Sequence, residues 1–302
     1  MTVVGIGQCC WDILAEVNAY PEADEKEEIR RLTEQGGGPT ATALVTLTRL
    51  GIPCRFHGIV GDDGYAEKIR DSLIREGIDI TGLVTRGGAA SQVAFIVIER
   101  LNGRRTIFWQ RSTGRGLQPD ELAAGFLEGT AVLHLDGLMP EVSRYALDEA
   151  RRFGIPVMVD AGRMRPGMAE LAAKCDYLVA AERFFLDLGW DGSAEGFRRL
   201  ASGLGATVVT VSRGTRGSMT WSGGEYFATP AFPVSVVDTT GAGDVFHGGY
   251  LYGVLQGWEL RRTVTFASAV AALGCLSLGG RAGIPTVAEA LRFLEEQGAS
   301  QG

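Results

Sequence analysis

Val236-Val237-Asp238-Thr239-Thr240-Gly241-Ala242-Gly243-Asp244-Val245-Phe246-His247-Gly248-Gly249 is the stretch on which the fold turns. It begins with a β-branched pair, passes through small or flexible residues, and enters an apolar segment with a carboxylate on its first turn. No large side chain shields the backbone N–H groups of Thr240, Gly241, Ala242 and Gly243. They can converge on an anion, and a helix N-terminus behind them adds its positive dipole end. A phosphate cradle has this outline. Asp244 then stands where the anion would be, and a carboxylate repels phosphate, so its expected role is to accept a hydroxyl proton beside a transferred phosphoryl group. The plainer reading of a bare Gly-Ala-Gly is a tight strand-to-helix turn with Asp244 as a cap.

The 302 residues around this stretch are enough for a substantial core. The 43 glycines lie mostly between apolar segments, which suits many short strand-to-helix turns. A net charge of −7 argues against nucleic acid as the main partner, because backbone binding needs a cationic surface. Five cysteines, with no C-x-x-C pair, suggest neither a disulfide framework nor a zinc site. The N-terminus has no basic n-region, and the most apolar late segment, residues 267–278, is too short to span a bilayer. No membrane and a cytoplasmic location are therefore expected.

Residues 3–7 read as a first strand, with Asp12 just beyond it, where open α/β sheets collect ligands. Residues 13–17 and 25–31 read as strands of an exposed flap. Gly36-Gly37-Gly38-Pro39-Thr40-Ala41-Thr42-Ala43 opens a helix that stops at Gly51. A strand over residues 55–60 and a helix through Ile74 follow. Residues 93–99 and 105–109, joined through Leu101-Asn102-Gly103, read as a hairpin. Arg104, Arg105, Arg111 and Arg115 cluster there, either as a solvated edge or as an anion reader.

Short apolar strands over residues 132–136, 156–160, 177–180 and 207–211 alternate with helices, which predicts a parallel sheet covered on both faces. Three of them lead into polar residues at the same end: Asp136-Gly137, Asp160-Ala161-Gly162-Arg163 and Ala181-Glu182-Arg183. These outline a cleft. Beyond the opening stretch come a helix over residues 245–255, another from Trp258, and a small-residue helix over 263–278 that carries Ser268 and could pack beside adenine. An amphipathic helix over 287–296 closes the chain.

Asp238, Thr239, Gly241, Ala242, Gly243 and Asp244, followed by Gly248 and Gly249, resemble position by position the C-terminal signature of the ribokinase-like (phosphofructokinase-B) carbohydrate kinases. Residues 37–43 with Leu50-Gly51 and Gly61-Asp62-Asp63-Gly64 resemble the N-terminal signature. Ser212-Arg213-Gly214-Thr215-Arg216-Gly217 resembles the nucleotide-side G-x-x-G turn, and Gly279-Gly280-Arg281-Ala282-Gly283-Ile284-Pro285-Thr286 the family's tail. The resemblance covers nearly the whole chain. It implies a three-layer α/β/α sandwich with a mostly parallel central sheet, residues 1–302 forming a single domain with a discontinuous β lid from about 12–35 and 90–112.

By the same resemblance the chain is an ATP-dependent kinase acting on a hydroxyl of a sugar or sugar derivative, with a ketose or acidic sugar favoured. Asp244 would be the general base and the Gly241, Ala242 and Gly243 backbone the anion hole. Asp12, Gly37, Gly38, Thr42, Arg105 and Asp136 would face the substrate, and Ser212, Gly214, Gly217, Thr239 and Ser268 the nucleotide. Glu182 is the candidate metal residue. The implied cofactors are ATP and Mg²⁺, with a monovalent cation such as K⁺ as a further candidate. A homodimer through the lid is the implied assembly.

The sequence departs from the family pattern at two places. Thr42 stands where relatives usually carry Asn, and Ala181 and Phe184 stand where many carry an Asn and a Glu that organise water around magnesium. The alternatives are a nucleoside kinase, with Trp11, Phe95 and Trp109 supplying an aromatic pocket, and a sugar-binding sensor that has lost catalysis. A Rossmann dehydrogenase is disfavoured, because Gly5-Ile6-Gly7-Gln8 lacks the third glycine and its acidic partner at the expected distance.

Overall fold

The structure is a computed structural model that describes residues 2–299. The chain opens with β1 (Thr2–Ile6), then β2 (Cys10–Val17) and β3 (Arg31–Gly37), before the first helix, α1 (Pro39–Arg49). β4 (Cys54–Val60), α2 (Gly64–Arg75) and β5 (Asp79–Thr85) follow, then the hairpin β6 (Val93–Glu99) and β7 (Arg105–Gln110). Strands and helices next alternate through β8 (Thr130–Leu135), α3 (Pro140–Arg152), β9 (Val157–Ala161), α4 (Met168–Lys174), β10 (Tyr177–Ala181), α5 (Glu182–Asp187), α6 (Ala194–Gly203) and β11 (Val208–Ser212). A second hairpin, β12 (Ser218–Ser222) and β13 (Glu225–Thr229), leads to α7 (Ala242–Leu255), α8 (Leu260–Gly274) and α9 (Val287–Glu296).

One sheet of nine strands runs in the order β13-β12-β11-β10-β9-β8-β1-β4-β5. The β11–β12 and β12–β13 pairings are antiparallel, and every other pairing in this sheet is parallel. Its strands are nearly continuously apolar because both faces are covered. Alternate side chains feed two cores: Val3 and Val132 pack with Leu44, Tyr250 and Phe266 of α1, α7 and α8, while Val4 and Leu133 pack with Val142, Phe184 and Phe197 of α3, α5 and α6. The expected three-layer α/β/α sandwich is what the chain forms. No helix among the described residues is long and apolar enough to cross a membrane.

The chain leaves β1 toward β4 and β5, and later builds β8 on the opposite side of β1. That reversal opens a crevice at the carboxyl ends of β1 and β8. A separate four-stranded sheet, β3-β2-β6-β7, has its own small core of Leu14, Ala94, Ile96 and Ile98 against Leu278. It holds the expected hairpin but is mixed, because β2 and β6 pair in parallel.

Two local expectations give way, and one strand goes unmarked in the sequence. Residues 25–31 do not form a strand; pairing starts at Arg31 and runs through Gly37, so the first of the glycines before α1 belong to the small sheet. The charged run has no apolar side to bury and stays exposed. β5 is a half-exposed edge strand with no alternation to mark it. Trp258 begins no separate helix, and one helix, α8, ends at Gly274 instead of near residue 278.

Candidate active site

Asp136 follows β8 at the crevice and is almost fully buried. Its Oδ2 accepts from the Gln8 backbone N–H at 2.6 Å and the Thr40 hydroxyl at 2.9 Å, and its Oδ1 from Leu138 N–H at 3.0 Å. Asp136 thus ties together the ends of β1 and β8 and the first turn of α1. Both of its oxygens accept from protein donors.

The cradle is held from below by Asp238. Its fully buried carboxylate accepts from Thr240 N–H and Thr240 Oγ1, both at 2.8 Å, and from Gly279 N–H at 2.8 Å. Gly241 then turns the chain into α7 at φ +70°, where a Cβ would meet the Gly280 Cα at 2.9 Å. Only glycine satisfies both the left-handed backbone and the close approach. No side chain caps α7; the Ala242 N–H donates back to Thr239 O at 3.2 Å, and the helix dipole lies behind this start. Arg105, from β7, donates to the Thr239 hydroxyl. Arg105 thus stands over the cradle, beside Thr239.

Asp244, on the first turn of α7, gathers with Asp160 and His247, each offering one atom within 4.8 Å of the others. Burial pushes the Asp244 carboxyl up to about 7, reinforced by the charge of Asp160 and opposed by His247 and Arg105. Burial, then Asp136, pushes Asp160 up to about 8. Burial holds His247 down at about 4. The His247 Nδ1 and the Asp160 Oδ2 are 3.5 Å apart, and that nitrogen has no other partner. Near neutral pH both groups favour their uncharged forms, so the contact is an acid facing an imidazole nitrogen and not an ion pair. Asp160 was legible only as one of several acidic strand ends; its place beside Asp244 comes from β9 lying next to β8.

On one side of the cradle lies a cleft of about 400 Å³. Ser212, Gly214, Gly217, Thr239 and Ser268 all line it, although 56 residues separate the first from the last. Phe232, Val234, Val236 and Ala272 give it apolar walls, and Ala242 and Gly243 close its floor. No carboxylate lines it. Glu182, at the start of α5, has both oxygens on Arg216 of the turn after β11.

On the other side, Asp12 is buried on β2 and accepts from the Cys10 thiol at 2.9 Å. A Cβ on Gly37 would fall 2.0 Å from Asp12 Oδ2, so the glycine is what lets the carboxylate cross that strand. Gly38 caps α1 at φ +97°. Thr42 is buried one turn later and accepts from Arg281 Nε at 3.3 Å. Arg281, absent from the sequence-based site, also donates to Gly37 O at 3.0 Å and Ser72 Oγ at 3.0 Å while only 4% exposed. The one available signal was a lone arginine inside a Gly-rich apolar tail. It braces the glycine turn and occupies Thr42, whose hydroxyl points to this cation and not to open space.

Over residues 2–287 the chain matches the description "pfkB family carbohydrate kinase". The chain belongs to that family. Two curated relatives of this pfkB-family protein are an ATP-dependent ribose-1-phosphate kinase of Halopiger xanaduensis, 27% identical over 98% of both chains, and a 5-dehydro-2-deoxygluconokinase of Geobacillus kaustophilus, 26% identical over 97% of this chain and 93% of the relative. Among solved structures, the ribokinase of Thermotoga maritima superposes with a TM-score of 0.83 at 26% identity, covering 97% of this chain and 99% of that one. The pfkB assignment accounts for both sheets and makes the enzyme a sugar or sugar-derivative kinase.

Proposed function

We propose that this pfkB-family kinase transfers the γ-phosphoryl group of ATP to a hydroxyl of an acidic sugar or ketose, with Asp244 as general base. The observation that carries this reading is the place of Asp244: on the first turn of an uncapped helix, with the nucleotide-type cleft on one side and the Asp12, Gly37 and Gly38 face on the other. The acceptor O–H bond breaks as its oxygen attacks the γ-phosphorus, the proton passes to Asp244, and the bond to the leaving oxygen of ADP breaks. N–H groups of Gly241 and Gly243 face the charge on the transferred group, the Ala242 N–H joins them only by leaving Thr239 O, and Arg105 adds a guanidinium from the lid side.

Mg²⁺ on the triphosphate would neutralise the charge gathered on its oxygens. Glu182 can serve it only by leaving Arg216, and the Asp160, Asp244 and His247 group suits it poorly, because Mg²⁺ favours oxygen ligands and a ligated Asp244 could not act as base. For a nucleoside acceptor, Phe95 and Trp109 offer exposed rings, whereas Trp11 is buried with its indole N–H on Glu34. Of the relatives named above, the two curated kinases are named for acceptors with an acidic group, which favours the acidic sugar, whereas the ribokinase is named for a neutral one.

Asp244→Asn should keep nucleotide affinity while lowering turnover by about 10² to 10⁴ fold. A coupled ADP-release assay over ketoses, aldoses, sugar acids, sugar phosphates and nucleosides measures this. Near-normal turnover of the variant would remove Asp244 from the base role, and no ADP release with any acceptor would favour a sensor.

A further inference from the structure

A second concavity, of about 410 Å³, opens beside the reaction centre and shares no lining residue with the nucleotide-type cleft. Arg111, Arg163 and Arg165 line it together with Gly137, Leu138 and Met164. Arg111 enters from the small sheet, one residue beyond β7, and stacks on Trp109 with its guanidinium carbon 4.8 Å from the ring centroid. Arg163 and Arg165 come from the loop between β9 and α4. Three guanidinium groups from two separate parts of the chain meet there, and no carboxylate lines the space.

Arginines elsewhere in the fold can be held by a close carboxylate, as Arg86 is by Glu121, Arg49 by Glu76 and Arg55 by Asp79. Arg111 and Arg165 form no ion pair among the described residues, and Arg163 reaches only a long 3.5 Å contact to Asp187. In a chain of net charge −7, three guanidinium groups facing one space with little to neutralise them is not a solubility device. The location gives the cluster a use. Gly137 adjoins Asp136, and Arg163 lies three residues beyond Asp160, whose carboxylate is grouped with that of Asp244.

We infer that Arg111, Arg163 and Arg165 hold an anionic substituent of the acceptor, a phosphate, sulfonate or carboxylate, while the acceptor's reacting hydroxyl lies at Asp244. Planar guanidinium forks match such oxyanions, and several can share one group. The inference rests on the kinase reading above and adds to it a site and a substrate class. The product would carry two anionic groups, the original one and the new phosphate. The enzyme would thus follow a reaction that installs or exposes the first acid, and precede one that uses a doubly charged sugar.

Calorimetric titration of the whole protein with ribose 1-phosphate, ribose 5-phosphate and gluconate, each beside its neutral parent ribose or glucose, tests this without relying on turnover. The charged probes should bind at least about tenfold more tightly than their parents. The Arg111→Gln/Arg165→Gln double variant should lose at least about tenfold of affinity for the preferred charged probe while its affinity for a non-hydrolysable ATP analogue stays put. Preference among the three probes separates a phosphate reader from a carboxylate reader. Equal affinity for charged and neutral members, unchanged discrimination in the double variant, or no binding of any charged probe at millimolar concentration would overturn the inference. Absent ADP release with intact, arginine-dependent anion binding would instead bring down the kinase reading and leave the anion site standing.

Discussion

Asp244 and Asp160 set the pH behaviour of the site. A base pushed up to about 7 is protonated under mildly acidic conditions, so kcat/KM should fall below neutral pH with its limb near 7 and not near the ordinary 3.8. The two carboxyls interact, so the limb belongs to the pair. Asp160 also carries a stability signature. Its folded-state pKa, about 8, lies above the ordinary 3.8, so its stabilising contribution is complete below about pH 4 and is lost as pH rises through 8. Asp160→Asn, neutral throughout, escapes that loss. Thermal melts should show the variant gaining on the parent protein between about pH 5 and about pH 8.5; an equal difference at both would mean that Asp160 is not buried as a neutral acid.

The decisive element is the turn into α7. Its glycines and its helix start were legible in sequence, because each answers a local demand: an open backbone and a small-residue helix; that the Asp238 carboxylate ties this turn to Gly279 came from the structure. Gly241→Ala should cost about 1–3 kcal/mol through the left-handed backbone alone. The Gly280 backbone cannot yield to the added methyl, so turnover should fall by more than the stability loss explains. Equilibrium unfolding and steady-state kinetics on the same preparation separate the two effects, and a variant with full activity would show that the cradle tolerates movement. Arg281 was not legible in this way. Its partners Thr42, Ser72 and Gly37 lie more than 200 residues away, and nothing local marks a buried cation.

At the scale of the molecule, the small sheet ends in an edge strand, β7, that is exposed along its whole length, with Ile107, Phe108 and Trp109 on it. An unprotected edge with apolar side chains invites pairing with another chain. Two copies should associate through it, and light scattering should report a dimer that Ile107→Lys/Phe108→Lys converts to monomer; a parent protein that is monomeric throughout would remove the idea. The sequence by itself determined the layer order, the turn after β11 and the carboxylate on the first turn of α7, because these depend on periodicities and turn chemistry spanning a few residues. Tertiary structure alone decided that β9 lies beside β8 and so brings Asp160 to Asp244. It also placed Arg105 over the cradle, and drew Arg111 into one space with Arg163 and Arg165. Those meetings depend on strand order and on how the small sheet sits over the large one, and neither leaves a mark in any local stretch of sequence.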